Sequence, residues 1–314
     1  MKLQEAVAEA RRRLAGAGLP DSALEAHVLA MHVTGKSRAE LYLSYPESLP
    51  ASALAALNEV VQRRLDREPL AYITGHREFF GLDLVVDRRV LVPRQETETL
   101  VERAIEVVRT RFEGRCVIAD VGTGSGAIAL SLATALPEAR VFATDASQDA
   151  LDVAELNRHF LGLDDRVTLL RGDLLNPVPA AVDVVVANLP YVKEKEWMTL
   201  QPEIRLWEPP EALLSGKDGL AHARRLLRQI ADMAGRPCWA LFELGSDQTS
   251  IVKREALALF PDALCETFMD LAGLERGVVL GGLARSVQQA PTHAPLAGLR
   301  GLESHRIDGE PRAP

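Results

Sequence analysis

The sequence predicts an α/β fold in which a parallel sheet follows a small helical domain. Apolar residues recur at helical spacing over residues 3–67. The period then changes to that of β-strands between residues 69 and 93. Beyond residue 93, short β-rich apolar runs alternate with helical stretches, as in a parallel α/β sheet. A chain of 314 residues has room for a standard α/β domain and a smaller one.

The N-terminal helices are predicted from apolar spacing and from capping residues. Apolar side chains recur at i+3 and i+4 steps over residues 3–14, which indicates a first helix. Asp21, or Ser22 beside it, is expected to cap a second helix. Ser37 is expected to cap a short third helix and Ser52 a fourth.

The regular elements of the sheet region are predicted from the alternation of apolar runs and helical stretches. Strands are expected at residues 116–121, 140–144, 167–170, 182–187, 238–244 and 278–281. Helices are expected at residues 127–135, 149–160, 219–234 and 248–259.

These patterns divide the chain into four segments. Residues 1–68 are expected to form the helical domain and residues 69–93 a β-hairpin linker. Residues 94–283 are expected to form the α/β domain. Residues 284–314 are rich in Pro, Ala, Gly, Arg and His without periodicity, which predicts a disordered tail.

Composition excludes several classes of function. A net charge of -8 disfavours direct nucleic-acid binding, because that affinity comes largely from Lys and Arg at phosphates. The N-terminus lacks the apolar core of a signal peptide and no apolar run is long enough to span a bilayer, so a cytoplasmic protein without membrane contact is expected. Three scattered cysteines fit a reducing compartment. Neither an HExxH spacing nor a Gly-x-Ser-x-Gly elbow is present, and no metal is expected.

A nucleoside-binding crevice is predicted at the ends of the first two strands of the sheet. The first strand runs into a glycine-rich loop and then directly into a helix, an arrangement that brings backbone N–H groups close to a ligand. Asp145 ends the next strand, where its carboxylate can accept hydrogen bonds from ribose hydroxyls. The candidate loop residues are Gly122, Thr123, Gly124, Ser125 and Gly126. The same glycines satisfy the loose dinucleotide fingerprint, so a nicotinamide-dependent oxidoreductase stays an alternative at this point.

The loop, with Asp120 before it, resembles the Asp-x-Gly-x-Gly-x-Gly of class I methyltransferases. The resemblance implies a Rossmann-like sheet and S-adenosylmethionine as cofactor. It also implies a role for Asp173 against the adenine amino group and for Leu174 against the adenine ring.

The tetrapeptide Asn188-Leu189-Pro190-Tyr191 follows the fourth strand of the sheet and carries the predicted chemistry. An amide nitrogen is a poor nucleophile because its lone pair is shared with the carbonyl group, so it must be held in a reactive geometry. The Asn188 side-chain oxygen and the Leu189 carbonyl could each accept one N–H of a target amide. Pro190 biases Leu189 toward extended backbone, and the Tyr191 ring could pack on the planar amide. Asn188 is thus a candidate for both catalysis and cofactor contact.

This tetrapeptide resembles the Asn-Pro-Pro-Tyr of amino-methyltransferases, which act on glutamine amides, adenine N6 or cytosine N4, with Leu189 in place of the first proline. Five further stretches, at residues 68–75, 77–81, 92–98, 208–213 and 242–245, are similar to those of release factor glutamine methyltransferases. That resemblance covers residues 1–283. It implies a helical domain that binds a peptide chain release factor, and methylation at N5 of the glutamine in its Gly-Gly-Gln loop.

Other functions remain compatible with the sequence. The same site could methylate a glutamine of a ribosomal protein, or an amino group of DNA or RNA, although the net charge disfavours nucleic acid. Leu189 also leaves open a binding module that keeps the cofactor pocket without catalysis.

Overall fold

The computed structural model describes residues 1–233 and 235–284. The tail expected at residues 284–314 lies outside the described residues, apart from Ala284. The description below concerns one compact unit that spans Met1–Ala284. Among its described residues, no helix is both long enough and apolar enough to cross a membrane.

The N-terminal region is helical, as expected. Its helices are α1 (Leu3–Gly16), α2 (Ser22–Thr34), α3 (Arg38–Leu43), α4 (Ala51–Leu65) and the short α5 (Leu70–Thr74). The first four enclose an apolar core in which Leu14, Leu29 and Leu41 are fully buried. Their apolar residues face each other because they recur once per helical turn.

The capping predictions are confirmed at one site and wrong at another. Ser37 accepts a hydrogen bond from the Glu40 backbone N–H, and the Glu40 carboxylate accepts one from the Ser37 N–H, which closes a capping box. Ser52 does not cap α4, because the helix begins at Ala51 with Pro50 at the capping position. Pro50 has a φ of -54° and a ψ of 148°, so it precedes the helix as extended backbone and provides no side-chain cap.

A two-stranded hairpin joins the helices to the sheet. It consists of β1 (His76–Phe79) and β2 (Leu82–Val85), with Phe80 and Gly81 at positive φ in its turn, the conformation of a tight type I′ turn. The expected hairpin at residues 69–93 is therefore shorter in the structure, where strands pair only at residues 76–79 and 82–85. Leu70–Thr74 is helical. The hairpin is anchored to the sheet domain because the side chain of Asn157 exchanges two hydrogen bonds with the backbone of Val85.

The larger sheet has seven strands in the order β5-β4-β3-β6-β7-β9-β8. Strands β3 to β7 are mutually parallel, and β9 runs antiparallel to both of its neighbours. Their bounds are β3 Val117–Val121, β4 Arg140–Asp145, β5 Val167–Arg171, β6 Val184–Ala187, β7 Trp239–Glu243, β8 Leu264–Met269 and β9 Glu275–Gly281. The strand runs expected from the sequence are confirmed to within a few residues, and β8 is an addition to them.

Helices cover both faces of the sheet, which explains why its central strands are apolar throughout. They are α6 (Glu96–Phe112), α7 (Ala127–Ala135), α8 (Gln148–Phe160), α9 (Pro202–Trp207), α10 (Ala221–Asp232) and α11 (Thr249–Leu259), with 3-10 turns at Glu194–Thr199 and Pro210–Ala212. Helices α6 and α7 pack in one apolar cluster with the sheet, while α10 and α11 pack in the other. The expected α/β fold with a Rossmann-like sheet is confirmed.

A buried ion cluster holds the helical region against the sheet domain. The Arg64 side chain of α4 is 7% exposed and donates to both carboxylate oxygens of Glu25 in α2, at 2.9 and 3.1 Å. It also donates to Glu203 of α9 at 3.1 Å. Removal of Arg64 would leave the buried Glu25 without a counter-charge and Glu203 with Arg67 alone, at 3.3 Å.

We therefore expect Arg64→Ala to lower the free energy of unfolding by about 3–5 kcal/mol, the range typical of a broken buried pair. Arg12→Ala serves as the control, because Arg12 and Glu9 form an exposed pair whose side chains are 68% and 46% exposed. Its loss should cost less than about 1 kcal/mol. Urea denaturation of both variants measures the difference, and equal losses would contradict a stabilising role for the cluster.

Candidate active site

A cleft lies at the carboxyl ends of β3, β4, β5 and β6. It has a cavity volume of ≈ 270 Å³ and collects residues from segments far apart in the chain. Because β3 leads to β4 on one side and its other neighbour is β6, the cleft opens where the strand order reverses, the usual ligand position in such sheets. Its lining includes Arg89, Val90, Gly122, Gly124, Asp145, Ser147, Gly172, Asp173, Leu174, Asn188, Leu189, Pro190, Pro209, Glu211, His222 and Arg225.

The loop after β3 brings bare backbone to the cleft. Gly122 and Gly124 have φ of +78° and +56°, a left-handed conformation that glycine adopts without steric cost. A Cβ on Gly122 would lie 3.0 Å from Cδ2 of Leu189, so the loop and the tetrapeptide are in close contact there. Gly126 is also left-handed and has no room for a side chain, because a Cβ would lie 2.9 Å from Cδ1 of Leu130.

Asp120, near the end of β3, holds this loop through hydrogen bonds to its side chain. Its Oδ2 accepts hydrogen bonds from the Thr123 hydroxyl at 2.6 Å and from the Ala129 backbone N–H at 3.1 Å. The side chain is fully buried, and burial raises its pKa to about 7 against those two hydrogen bonds. Asp120 and Thr123 therefore shape the turn and do not reach the cavity.

Asp145 presents a carboxylate directly to the cleft. Its Oδ2 accepts from the Gly124 N–H and its Oδ1 from the Ser147 N–H, both at 2.9 Å. Burial raises the pKa of Asp145, and the backbone hydrogen bonds oppose that shift. A carboxylate has about four lone-pair positions, so two oxygens with one donor each can still accept from a ligand.

The segment just after β5 adds a second acidic side chain to the cleft. Asp173 lines the cleft and accepts from Arg225 of α10 at 2.5 Å. Leu174 is buried, lines the cleft, and has a φ of +52°, a conformation that costs an L-residue about 1–2 kcal/mol. Strained non-glycine residues of this kind are concentrated at functional sites.

The tetrapeptide after β6 forms the floor of the cleft. Asn188 is half-buried and donates from Nδ2 to the Thr97 hydroxyl oxygen at 3.0 Å. Leu189 is buried, and with Pro190 it lines the cavity. The Tyr191 ring lies outside the lining, where burial raises its pKa to about 12.

The backbone of Tyr191 is fixed by two residues that sequence reasoning missed. The buried Gln248 donates from Nε2 to the Tyr191 carbonyl oxygen at 2.9 Å. Gly219 has a φ of +76°, and a Cβ there would overlap both that carbonyl oxygen and the Gln248 amide. The motif gave no signal for either contact, because both residues reach it from other segments of the chain.

The structure thus separates the predicted site residues into two groups. Most of the candidates line one cleft: Gly122, Gly124, Asp145, Asp173, Leu174, Asn188, Leu189 and Pro190. The others, Thr123, Ser125, Gly126 and Tyr191, lie beside the cavity and hold the loops that form it. The lining adds residues that the sequence did not single out, notably Arg89, Ser147, Glu211, His222 and Arg225.

Negative charge outweighs positive charge in the lining of the cleft. Arg89 is paired with Asp87, and Arg225 with Asp173. Asp145 and Glu211 also line the cavity, and among the described residues no cation pairs with either of them. The repulsion of Glu211 contributes to the raised pKa of Asp145. The cleft therefore favours a ligand that carries positive charge.

Comparison with known proteins identifies the class of this fold and site. A family model described as the methyltransferase small domain matches residues 99–205, and a model described as the PrmC N-terminal domain matches residues 5–75. A crystal structure of the hMettl16 catalytic domain with a 3'UTR hairpin aligns with a TM-score of 0.55 at 17% identity, over 72% of this chain and 84% of that one. That likeness shows the fold alone. Fold and domain matches together define a doubly wound methyltransferase.

Two relatives narrow the class. The release factor glutamine methyltransferase of Moorella thermoacetica is 43% identical over 277 residues, which cover 88% of this chain and 97% of the relative. That of Bacillus anthracis is 33% identical over 282 residues, with coverage of 88% and 98%. The chain belongs to the release factor glutamine methyltransferase family.

The contact at Gly219 yields a prediction with a matched control. Gly219→Ala and Gly216→Ala both place a side chain at a φ of +76°, but a Cβ on Gly216 would meet only Cβ of Ala221 at 3.7 Å. Overpacking against the Tyr191 carbonyl should therefore make Gly219→Ala less stable than Gly216→Ala by about 1–3 kcal/mol. Urea denaturation compares the two, and equal losses would mean that the loop yields without cost.

Proposed function

We propose that this enzyme transfers a methyl group from S-adenosylmethionine to the side-chain amide nitrogen, N5, of the Gly-Gly-Gln glutamine in a peptide chain release factor. The observation that carries the proposal is the position of Asn188 and Leu189 in the lining of a cleft formed with a glycine loop and Asp145. Membership of the family, whose relatives are named for release factors and glutamine, supports the choice of substrate.

The cleft fits the cofactor on three counts. Gly122 and Gly124 present backbone without side chains, so an extended nucleoside can lie against them. Asp145 retains acceptor positions for ribose hydroxyls. The negative balance of the lining suits a sulfonium cation. When bound, S-adenosylmethionine supplies an activated methyl group whose leaving group is a neutral thioether.

The tetrapeptide then has the task of holding the substrate amide. The Asn188 Oδ1 and the Leu189 carbonyl oxygen accept the two N–H bonds of the target, which favours a pyramidal nitrogen whose lone pair points into the cleft. The methyl transfer leaves a positively charged nitrogen, whose extra proton passes to water. Neither step needs a metal or a nucleophilic side chain.

Leu189, which stands where related motifs carry proline, keeps the backbone carbonyl that this scheme uses. Its side chain is buried and packs against Gly122, and Pro190 still biases its backbone toward the extended region. Close packing thus supplies the restriction that a proline ring would give. This favours an active enzyme over a binding module without catalysis.

We also propose the division of labour expected from the sequence. Residues 1–68 would bind the release factor, and residues 94–283 would bind the cofactor and catalyse methyl transfer. Residues 69–93 would link these two domains. The names of the relatives, which match along both the helical region and the sheet domain, support a release factor over a ribosomal protein. The net charge of -8 weighs against a nucleic-acid substrate, and a nicotinamide enzyme would leave the tetrapeptide without a role. The cytoplasmic location stays a prediction.

The roles of Asn188 and Asp145 can be separated by substitution. Asn188→Ala should lower kcat by about a hundredfold or more, while the affinity for S-adenosylhomocysteine changes little, because the lost contact is one to the reacting amide. Asp145→Ala should instead weaken that affinity, because it removes the ribose acceptor and the Gly124 contact. Calorimetry and single-turnover rates distinguish them. The same pattern in both variants would contradict the assignment.

The decisive experiment is mass spectrometry of a release factor incubated with the enzyme and S-adenosylmethionine. A gain of one methyl group, mapped by fragmentation to the Gly-Gly-Gln glutamine, is expected. A release factor with that glutamine changed to alanine is the control. Methylation at another residue, or of ribosomal protein alone in a mixed reaction, would refute the proposal.

A further inference from the structure

The proposed role of Asn188 requires its side-chain amide to lie in one of two orientations. A carboxamide rotated by 180° exchanges its oxygen and its NH₂ group with almost no change in shape. Only the orientation with Oδ1 toward the cleft can accept an N–H from a substrate. Among the described residues, the Asn188 side chain makes one hydrogen bond, from Nδ2 to Oγ1 of Thr97 at 3.0 Å.

Thr97 does not settle the orientation by itself. A hydroxyl can either donate its one proton or accept through its lone pairs, so it can pair with the oxygen or with the NH₂ of an amide. Thr97 lies in the first turn of α6 and is 4% exposed, so water does not compete freely for it. Whether the Thr97 hydroxyl donates to Asn188 or accepts from it depends on which other acceptor its proton can reach.

Glu243 offers an acceptor for the Thr97 proton. It is the last residue of β7, and the register that pairs Ala187 with Phe242 places Glu243 beside Asn188. The side chain is 2% exposed, and its Oε2 is buried without a hydrogen-bond partner among the described residues. The side chains of Thr97 and Tyr191 lie beside this carboxyl and lower its pKa.

We propose that Thr97 and Glu243 are positioning residues that fix which atom of the Asn188 amide faces the substrate. An ionised carboxylate can only accept, and a hydrogen bond to it is roughly twice as strong as a neutral one. The Thr97 proton is therefore directed to Glu243, and the Thr97 oxygen is left to accept from Asn188 Nδ2. Oδ1 of Asn188 then faces the cleft. The inference rests on the proposed amide methylation and names what orients its key acceptor.

The same relay carries a protonation switch. Burial raises the pKa of Glu243 to about 7; the like charge of Glu96 also raises it, while Thr97, Tyr191 and the positive charge of Arg276 lower it. A protonated carboxyl can donate to Thr97, whose own proton is then free to reach an oxygen of Asn188. Acidification through pH 7 should therefore favour the inactive rotation of the amide.

Kinetics of three variants test the relay. Thr97→Val keeps the shape and removes the hydroxyl, so kcat should fall by about tenfold or more with S-adenosylhomocysteine affinity and KM little changed. Thr97→Ser restores the hydroxyl and should recover most of that loss. Glu243→Gln has no titrating group at this position, so it should lack the fall of kcat below pH 7 that we expect of the parent enzyme. A wild-type kcat in Thr97→Val, or an unchanged pH profile in Glu243→Gln, would overturn the proposal.

A measurement that needs no turnover separates this inference from the proposed function. The Asn188 side-chain amide can be followed by ¹⁵N–¹H NMR and assigned by its absence in Asn188→Ala. Its signals should shift in Thr97→Val and should titrate near pH 7 in the parent enzyme but not in Glu243→Gln. Should those signals stay unmoved, the relay is wrong even if glutamine is methylated. A titrating signal without methylation would instead reject the substrate and keep the relay.

Discussion

Buried carboxylates at the carboxyl edge of the sheet hold the candidate site together. Asp120, Asp145 and Glu243 stand at or next to the ends of β3, β4 and β7, and burial raises the pKa of each. A buried carboxylate is costly unless donors surround it, so nearby segments must turn their N–H and O–H groups toward it. The glycine loop folds over the first two acids in this way. The shape of the cleft follows from where these acids lie.

A second constraint ties the cleft to the helical domain. The segment after the tetrapeptide carries Glu203, which pairs with the buried Arg64, and Glu208, which pairs with Arg94 at 2.6 Å. Glu208 is 3% exposed and also accepts from the Val92 backbone. The chain that leaves the active site is thus fastened at both ends of α9, once to the helices and once to the entry of the sheet domain. A shift of the helical domain would be transmitted to the rim of the cleft.

These anchors support the proposed action of the site on a poor nucleophile. The tetrapeptide offers acceptors at fixed positions, and Gln248, Gly219 and the glycine loop prevent its backbone from relaxing. Fixed acceptors stabilise charge in the transition state without a reorganisation cost at the moment of reaction. At Leu189, we propose that packing against Gly122 replaces a restriction that a proline would supply covalently.

Local patterns in the sequence determined the class of fold, most helix and strand positions, and the loops that meet at the cleft. Apolar periodicity and glycines report which residues must be buried and where the backbone must turn, and both are set within a few residues of the chain. Four elements were not predicted. Helices α5 and α9 have too few turns for a period, and the edge strand β8 is only partly buried. Helix α6 was also missed, although it is 17 residues long.

Only the tertiary structure decided which candidates face the cavity and which hold it. Thr123, Ser125 and Tyr191 look like ligands in the motif, but their polar groups serve the loops around the cleft. The contact of Asn188 with Thr97 joins residues 91 positions apart. No local pattern could report it, because the pairing arises where strand ends and a helix start converge in space, and that convergence exists only after the sheet has formed.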